Sequence, residues 1–148
     1  MRVAFIPIEK KSLNEEPEII SSTRLAYMLS YMEQQFPEDK FFPIPDFELL
    51  IKTVPNIVGI YVADTCVFDE VIALSIKIKE KFNIPIFLFG NHITYLPKTL
   101  PSSIDIGVIG EGEPQVQLIL NYYKIDPLLK EKTLAKIKGI VFHSKGQK

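Results

Sequence analysis

The chain has 148 residues, a net charge of −1 and a hydrophobic content of 47%, which together predict one globular domain with its own core. No basic excess is available to neutralise phosphates, so we expect no nucleic-acid partner. The apolar runs are too short to span a membrane, and the amino terminus lacks the features of a signal peptide, so the expected location is the cytoplasm. One cysteine and two histidines predict neither a disulfide nor a metal site.

Apolar runs of strand length alternate with amphipathic helical segments along the chain. The strand-like runs are rich in Val, Ile and Phe, and the helical segments repeat apolar residues every three or four positions. The predicted strands are Arg2–Ile8, Lys40–Ile44, Asn56–Ala63, Pro85–Phe89, Ile104–Ile109 and Ile137–His143. The predicted helices are a segment from a Ser or Thr cap at 21–23 to about Phe36, then Phe47–Thr53, Phe68–Phe82, and Pro114 to about Tyr123.

Single residues set several of these boundaries. Asp46 is expected to cap the short helix after the second strand, and Asn83 to end the long helix after the third. Pro43 predicts an edge position for the second strand, because proline has no N–H to donate to a neighbour. Residues 12–17 are predicted to form a polar loop, 97–100 at most one helical turn, and 126–135 a short helix or a loop with helical character.

This alternation predicts an α/β fold, namely a three-layer, doubly wound and mostly parallel sheet of the flavodoxin-like or Rossmann-like type, in one domain over residues 1–148. In such a sheet the carboxyl ends of the strands share one edge, where ligands bind. Polar turns follow the strands at 64–66, 90–94 and 110–113. Glycines in these turns either let a ligand approach the backbone closely or simply make the turns.

Several residues at this edge allow more than one interpretation. His92 either hydrogen-bonds a ligand or is a structural or solvent-facing turn residue. Cys66 is expected to be buried as a small apolar side chain, because no histidine is placed beside it. Asp64 is expected to cap a helix or form a turn. As the phosphoacceptor of a receiver domain it would need an acidic pair after the first strand and a lysine after the fifth, and the sequence lacks both. Dinucleotide and P-loop fingerprints are also absent.

Two motifs carry a resemblance to a known family. The fourth strand leads into G-N-H-I-T-Y-L-P, the fifth runs through I-D-I-G-V-I to G-E-G-E, and K-G-I-V-F follows near the end. This order resembles the amino-terminal cobalamin-binding-type domain of B12-dependent radical SAM enzymes. The positions that match the family's motifs are Gly90, His92, Thr94, Pro97, Asp105, Gly110, Glu111, Gly112, Glu113 and Gly139.

The resemblance implies a domain that holds cobalamin over the strand ends for a radical SAM barrel of the same polypeptide, typically a methyltransferase. The residues it implies for cofactor binding are Thr65, Gly90, Asn91, His92, Thr94, Gly110 and Glu111. No catalytic residue and no metal ligand is expected within the chain. S-adenosylmethionine and a 4Fe–4S cluster would bind only in the barrel, because the cluster motif C-x-x-x-C-x-x-C needs three cysteines and this chain has one.

Two departures from the family pattern bear on cofactor binding. No D-x-H-x-x-G motif follows the first strand, so no protein histidine is expected to coordinate cobalt. Asn91 stands where the family usually has a second glycine, and its side chain could crowd the nucleotide tail. The alternative function is therefore a degenerate structural or docking domain that supports the barrel and binds no cofactor. In both cases we expect the chain to be the amino-terminal fragment of a longer radical SAM protein.

Overall fold

A computed structural model describes residues 1–9 and 23–144 of the chain, and six strands and six α-helices form within them. The strands are β1 (Arg2–Ile8), β2 (Lys40–Pro43), β3 (Ile57–Val62), β4 (Ile86–Phe89), β5 (Ile106–Val108) and β6 (Ile140–Phe142). The helices are α1 (Thr23–Gln35), α2 (Phe47–Thr53), α3 (Phe68–Phe82), α4 (Asn91–Tyr95), α5 (Glu113–Ile125) and α6 (Glu131–Leu134), with short 3-10 helices at Thr65–Val67 and Pro97–Thr99. The predicted loop at 12–17 and two candidate caps of α1, Ser21 and Ser22, lie outside the described residues.

The strands form one sheet in the order β2-β1-β3-β4-β5-β6. Strands β1 to β5 pair in parallel, and β6 pairs with β5 in antiparallel orientation. The prediction of an α/β fold with a mostly parallel sheet is therefore confirmed. Strand β2 lies at one edge, as Pro43 predicted, because the proline leaves no N–H for a further strand to bind.

Successive side chains of the central strands enter two separate hydrophobic clusters. In β1, Val3 and Phe5 belong to one cluster, and Ala4 and Ile6 belong to the other, since neighbouring side chains of a strand point to opposite faces. Helices α1 and α5 contribute to the first cluster, and α2 and α3 contribute to the second. The apolar run of β3 is buried along its whole length, as expected of a strand covered on both faces.

The predicted helix boundaries at Asp46 and Asn83 are confirmed. The Asp46 carboxylate accepts a hydrogen bond of 2.8 Å from the backbone N–H of Leu49, which satisfies a donor that the first turn of α2 leaves free. Asn83 ends α3 in the left-handed conformation, with φ of 49°, and its N–H donates to the carbonyl of Lys79. Asn adopts this conformation more readily than most residues, which explains its place after the helix.

Several local predictions are wrong, among them the bounds of the last strand, which was expected at 137–143 although β6 covers only Ile140–Phe142. The segment after Gly90 was expected to be a turn, but residues 91–95 form the short helix α4. Cys66 was expected to be buried, but it is exposed, because the buried residue of its 3-10 helix is Val67. The fifth strand was expected at 104–109, but β5 covers only Ile106–Val108.

Asp105 explains why β5 starts late. Its Oδ2 atom accepts a hydrogen bond of 2.8 Å from the N–H of Ile86 and lies 2.6 Å from Nζ of Lys79. The carboxylate thereby occupies the place of a strand partner at the beginning of β4. The aspartate of the fifth-strand motif thus lies at the amino edge of the parallel strands, which is the opposite edge from the predicted site.

Gly59 lies in the middle of β3 against two fully buried aromatic rings. A Cβ atom there would stand 2.4 Å from Cζ of Phe87 and 3.1 Å from Cδ1 of Phe5. Gly59→Ala should therefore lower the free energy of unfolding by about 1–3 kcal/mol, the usual cost of overpacking a core, as measured by urea denaturation. In a Phe87→Leu background the same substitution should cost less, because the smaller side chain leaves room. An equal cost in both backgrounds would contradict this explanation.

Candidate functional site

The residues implied in cofactor binding all follow strands at the carboxyl edge of the parallel sheet. They belong to three segments: Thr65 begins the 3-10 helix after β3, residues 90–94 lead from β4 into α4, and residues 110–111 follow β5. One direct hydrogen bond joins the first segment to the second, and another joins the second to the third. The expectation that these segments meet at one edge is confirmed.

Gly90 brings the start of α4 against the end of β3. Its φ is +119°, and a Cβ atom there would lie 2.1 Å from the carbonyl oxygen of Val62. Only a residue without a side chain allows so close a backbone contact at this φ. The space beside Gly90 is therefore filled by the neighbouring strand.

His92 is buried in α4 and has partners on both ring nitrogens. Its ring stacks on Phe68 with centroids 3.7 Å apart. Nδ1 lies 3.0 Å from Oγ1 of Thr65, and Nε2 lies 2.9 Å from Oγ1 of Thr99. The Thr99 hydroxyl donates its proton to the carbonyl of Leu96, so it accepts from His92, and the proton of the neutral ring is on Nε2. Nδ1 is then the acceptor for the Thr65 hydroxyl.

This arrangement gives His92 a structural role. Burial lowers the pKa of His92 below its ordinary value of 6.5, which keeps the ring neutral near pH 7. With its one N–H donated to Thr99 and its one acceptor used by Thr65, the imidazole has no hydrogen-bonding capacity left for a ligand. Of the two interpretations of His92, the structural one agrees with its contacts.

Thr94 joins the two motif turns. Its hydroxyl donates to the carbonyl of Gly90 at 2.8 Å and accepts from the N–H of Gly110 at 3.0 Å. The single hydroxyl proton is therefore used within α4, while the oxygen fixes the position of the turn after β5. The G-x-H-x-T and G-E-G-E motifs therefore form one hydrogen-bonded unit.

Gly110 differs from Gly90 because the space beside it is open. Its φ is +82°, and a Cβ atom there would meet no other atom within 4 Å. Its carbonyl accepts a hydrogen bond from the guanidinium of Arg24, at the start of α1. Arg24 was not among the predicted site residues, because it lies 86 positions away in sequence and belongs to no motif.

The remaining predicted residues lie on the rim. Thr65, Asn91 and Glu111 are exposed. The Thr65 hydroxyl oxygen can still accept a hydrogen bond after donating to His92, and the amide of Asn91 and carboxylate of Glu111 face solvent. Asp64 occupies the position before the 3-10 helix at Thr65–Val67 but makes no side-chain cap hydrogen bond. Of the two roles expected of Asp64, the capping role is therefore not realised. Its backbone carbonyl accepts from the N–H of Val67 at 3.5 Å, so Asp64 begins the turn.

Two other kinds of site are absent from the described ranges. Residues 1–9 and 23–144 contain no group of three or more His, Cys, Asp or Glu side chains placed to hold a metal ion. The same residues include no helix of the length and apolar character that crossing a membrane requires.

A groove of about 560 Å³ lies at the opposite edge of the sheet from the predicted site. It is lined by residues next to the amino ends of β4 and β5, by the α5–α6 connection and by Phe142. Two of its polar side chains already have partners: Asp105 pairs with Lys79, and Nε2 of His143 lies 2.9 Å from the carbonyl of Pro101.

No model of a known protein family matches the chain, and no curated protein matches it. The functional assignment therefore depends on the geometry of the carboxyl edge and on the motif residues that it brings together.

The buried neutral His92 predicts a pH dependence of stability. Because the folded state lowers its pKa, the unfolded chain binds the proton more readily. The contribution of the neutral ring is complete above about pH 6.5, the pKa in the unfolded chain, and is lost progressively as the pH falls from there towards the lower pKa of the folded state. Between about pH 8 and pH 5, the wild type should therefore lose more unfolding free energy than His92→Gln in urea denaturation. His143→Gln removes the other histidine and should lose as much unfolding free energy as the wild type. Equal losses in the wild type and in His92→Gln would contradict a buried, neutral His92.

The two turn glycines should respond differently to the same substitution. Gly110→Ala places a methyl group in open space, so only the positive φ opposes it, at a cost of about 1–2 kcal/mol. Gly90→Ala adds a clash with the Val62 carbonyl, so its cost should reach about 3 kcal/mol or more. Chemical denaturation of both variants tests whether Gly90→Ala costs more stability than Gly110→Ala. Comparable losses of stability in the two variants would refute this prediction.

Proposed function

We propose that the chain is a cobalamin-binding-type domain, with the three-layer, doubly wound architecture of flavodoxin-like domains, that serves a radical SAM barrel of the same polypeptide in the cytoplasm. The observation that carries the proposal is the Thr94 bridge, which holds the two motif turns together beside the open face of Gly110. The mostly parallel sheet supports it, because ligands bind such sheets at the carboxyl edge.

The exposed residues along the rim of the carboxyl edge fit the binding of a corrin. Gly110 leaves space for a ligand against the backbone, and Thr65, Asn91 and Glu111 offer exposed polar groups. These four residues would hold the cofactor. Gly90, His92 and Thr94 would form the wall behind it, since the polar atoms of their side chains are already bonded within the chain.

The chain's own residues bind and orient, and they perform no chemistry. When bound, cobalamin would supply the methyl group or the cobalt chemistry for a reaction in the barrel, where S-adenosylmethionine and a 4Fe–4S cluster would also bind. His92 cannot serve as a ligand to cobalt while its Nδ1 accepts from Thr65 and its Nε2–H donates to Thr99. The cofactor would therefore be held without a protein imidazole.

One observation favours a second function, that of a degenerate structural or docking domain. The turn from Gly90 to Thr99 is internally satisfied: the imidazole of His92 and the hydroxyls of Thr94 and Thr99 all have partners within the chain. Such a turn needs no ligand to be stable. In this role the domain would support the barrel through its surface and bind no cofactor.

Corrin retention separates the two functions. The purified chain is mixed with hydroxocobalamin, desalted, and examined by visible absorption, with circular dichroism to verify folding. Retained corrin absorption is expected for a cobalamin-binding domain. A folded chain that retains none, alone and as part of the complete radical SAM protein, would exclude cofactor binding and leave the docking function.

Asn91→Gly tests whether this turn has degenerated. The Asn91 side chain is exposed at the first position of α4, so its removal should leave the fold intact. If the wild type retains no corrin and Asn91→Gly does, the side chain crowds the cofactor. If both retain corrin with equal affinity, the expected crowding by Asn91 is wrong.

A further inference from the structure

Strand β6 is the last strand at one side of the sheet, and it differs from the strand at the other side. There, Pro43 ends β2 and has no N–H to offer to a further strand. Strand β6 contains no proline, and its residues are only half-buried. Within residues 1–9 and 23–144, no further strand lies beyond it. A strand of this kind can pair with a segment of another chain.

The pairing of β6 with β5 shows which of its backbone groups point outward. The N–H of Ile109 donates to the carbonyl of Gly139 at 2.9 Å, and these two residues lie opposite each other in the β5–β6 register. Because bonded and non-bonded pairs alternate along antiparallel strands, Val141 also bonds to β5, and the backbone groups of Ile140 and Phe142 point away from it. An added strand can bind these outward N–H and carbonyl groups.

The side chains of β6 favour apolar neighbours. Ile140 and Phe142 are partly buried against the hydrophobic cluster to which α1 and α5 contribute. Val141 is partly buried against the cluster on the opposite face. A strand next to β6 would place its own side chains beside these residues, and apolar pairs across neighbouring strands stabilise a sheet. The fitting partner is therefore an extended segment that contains valine or a similar residue.

The charge of the segment that leads into β6 indicates what else the partner carries. Residues from Glu131 to Ser144 include three lysines and one glutamate. The carboxylate of Glu131 accepts a hydrogen bond of 2.5 Å from the Ser144 hydroxyl, which holds the start of α6 beside the end of β6. Lys132, Lys136 and Lys138 are exposed and form no ion pair with the described residues. Positive charge thus accompanies this strand, although the whole chain has a net charge of −1.

We propose that β6 binds an extended acidic segment of a partner protein as an additional strand of the sheet. The outward backbone groups of Ile140 and Phe142 bind the segment, and the three lysines attract its carboxylates. A second copy of this chain is a poorer partner, because pairing two β6 strands would bring lysines against lysines. The interaction does not depend on cobalamin binding.

The first test measures the fluorescence anisotropy of a labelled peptide of alternating valine and glutamate during titration with the chain. Ile140→Pro removes an outward N–H of β6 and should weaken binding about tenfold. Ile140→Ala is the matched control, because it also removes the isoleucine side chain but keeps the N–H, and it should bind more tightly than Ile140→Pro. Equal affinities of the two variants, both folded by circular dichroism, would overturn strand addition at β6.

The second test concerns the charge and decides the question if Ile140→Pro does not fold. The double variant Lys136→Gln/Lys138→Gln should bind the same peptide several-fold more weakly than the wild type at low salt. Lys52→Gln/Lys81→Gln changes the net charge equally at exposed positions of α2 and α3, and its affinity should be unchanged. Equal affinities of the two double variants would overturn the acidic partner.

Two further outcomes would overturn the proposal. One is a wild-type chain that does not bind the peptide, or that binds a peptide of alternating valine and lysine equally well. The other is a wild-type chain that is dimeric in sedimentation experiments without peptide and becomes monomeric in Ile140→Pro but not in Ile140→Ala. That result would assign β6 to a second copy of the chain.

Discussion

The contact between Gly90 and the end of β3 is the constraint on which the carboxyl edge depends. Because Gly90 has no side chain and a positive φ, α4 begins directly against the carbonyl of Val62. This placement buries His92 between Phe68 and two threonine hydroxyls. It also brings Thr94 to the turn after β5, so that one backbone contact determines the positions of two sequence motifs.

The edge that results has a satisfied inner wall and an open rim. On the inner side, the histidine and threonine groups bond to one another, and a neutral imidazole is favoured over its charged form by burial. On the rim, Gly110 leaves space beside the backbone, and its carbonyl accepts a hydrogen bond from the guanidinium of Arg24. In the proposed function, cofactor binding and support of the fold would be divided between different residues of the same motifs. This division explains why the motifs alone do not distinguish a cofactor-binding domain from a structural one.

Most of the fold could be predicted from local patterns. Alternating strands and helices, Asp46 as a cap, Asn83 as a helix end and the edge position of β2 all follow from properties of single residues or short segments. The antiparallel pairing of β6, the short helix α4 and the exposure of Cys66 did not follow. These features depend on which segments become neighbours in space, and no local pattern specifies that.

The sequence by itself determined the α/β class, the mostly parallel sheet and the meeting of the two motif turns at one edge, because hydrophobic periodicity and turn residues act over short distances. Only the tertiary structure decided what each motif residue does there. His92 is a buried structural residue because Thr65 and Thr99 approach it from other segments. Arg24 belongs to the site because α1 packs beside the turn of Gly110, and a contact across 86 positions leaves no mark on local sequence.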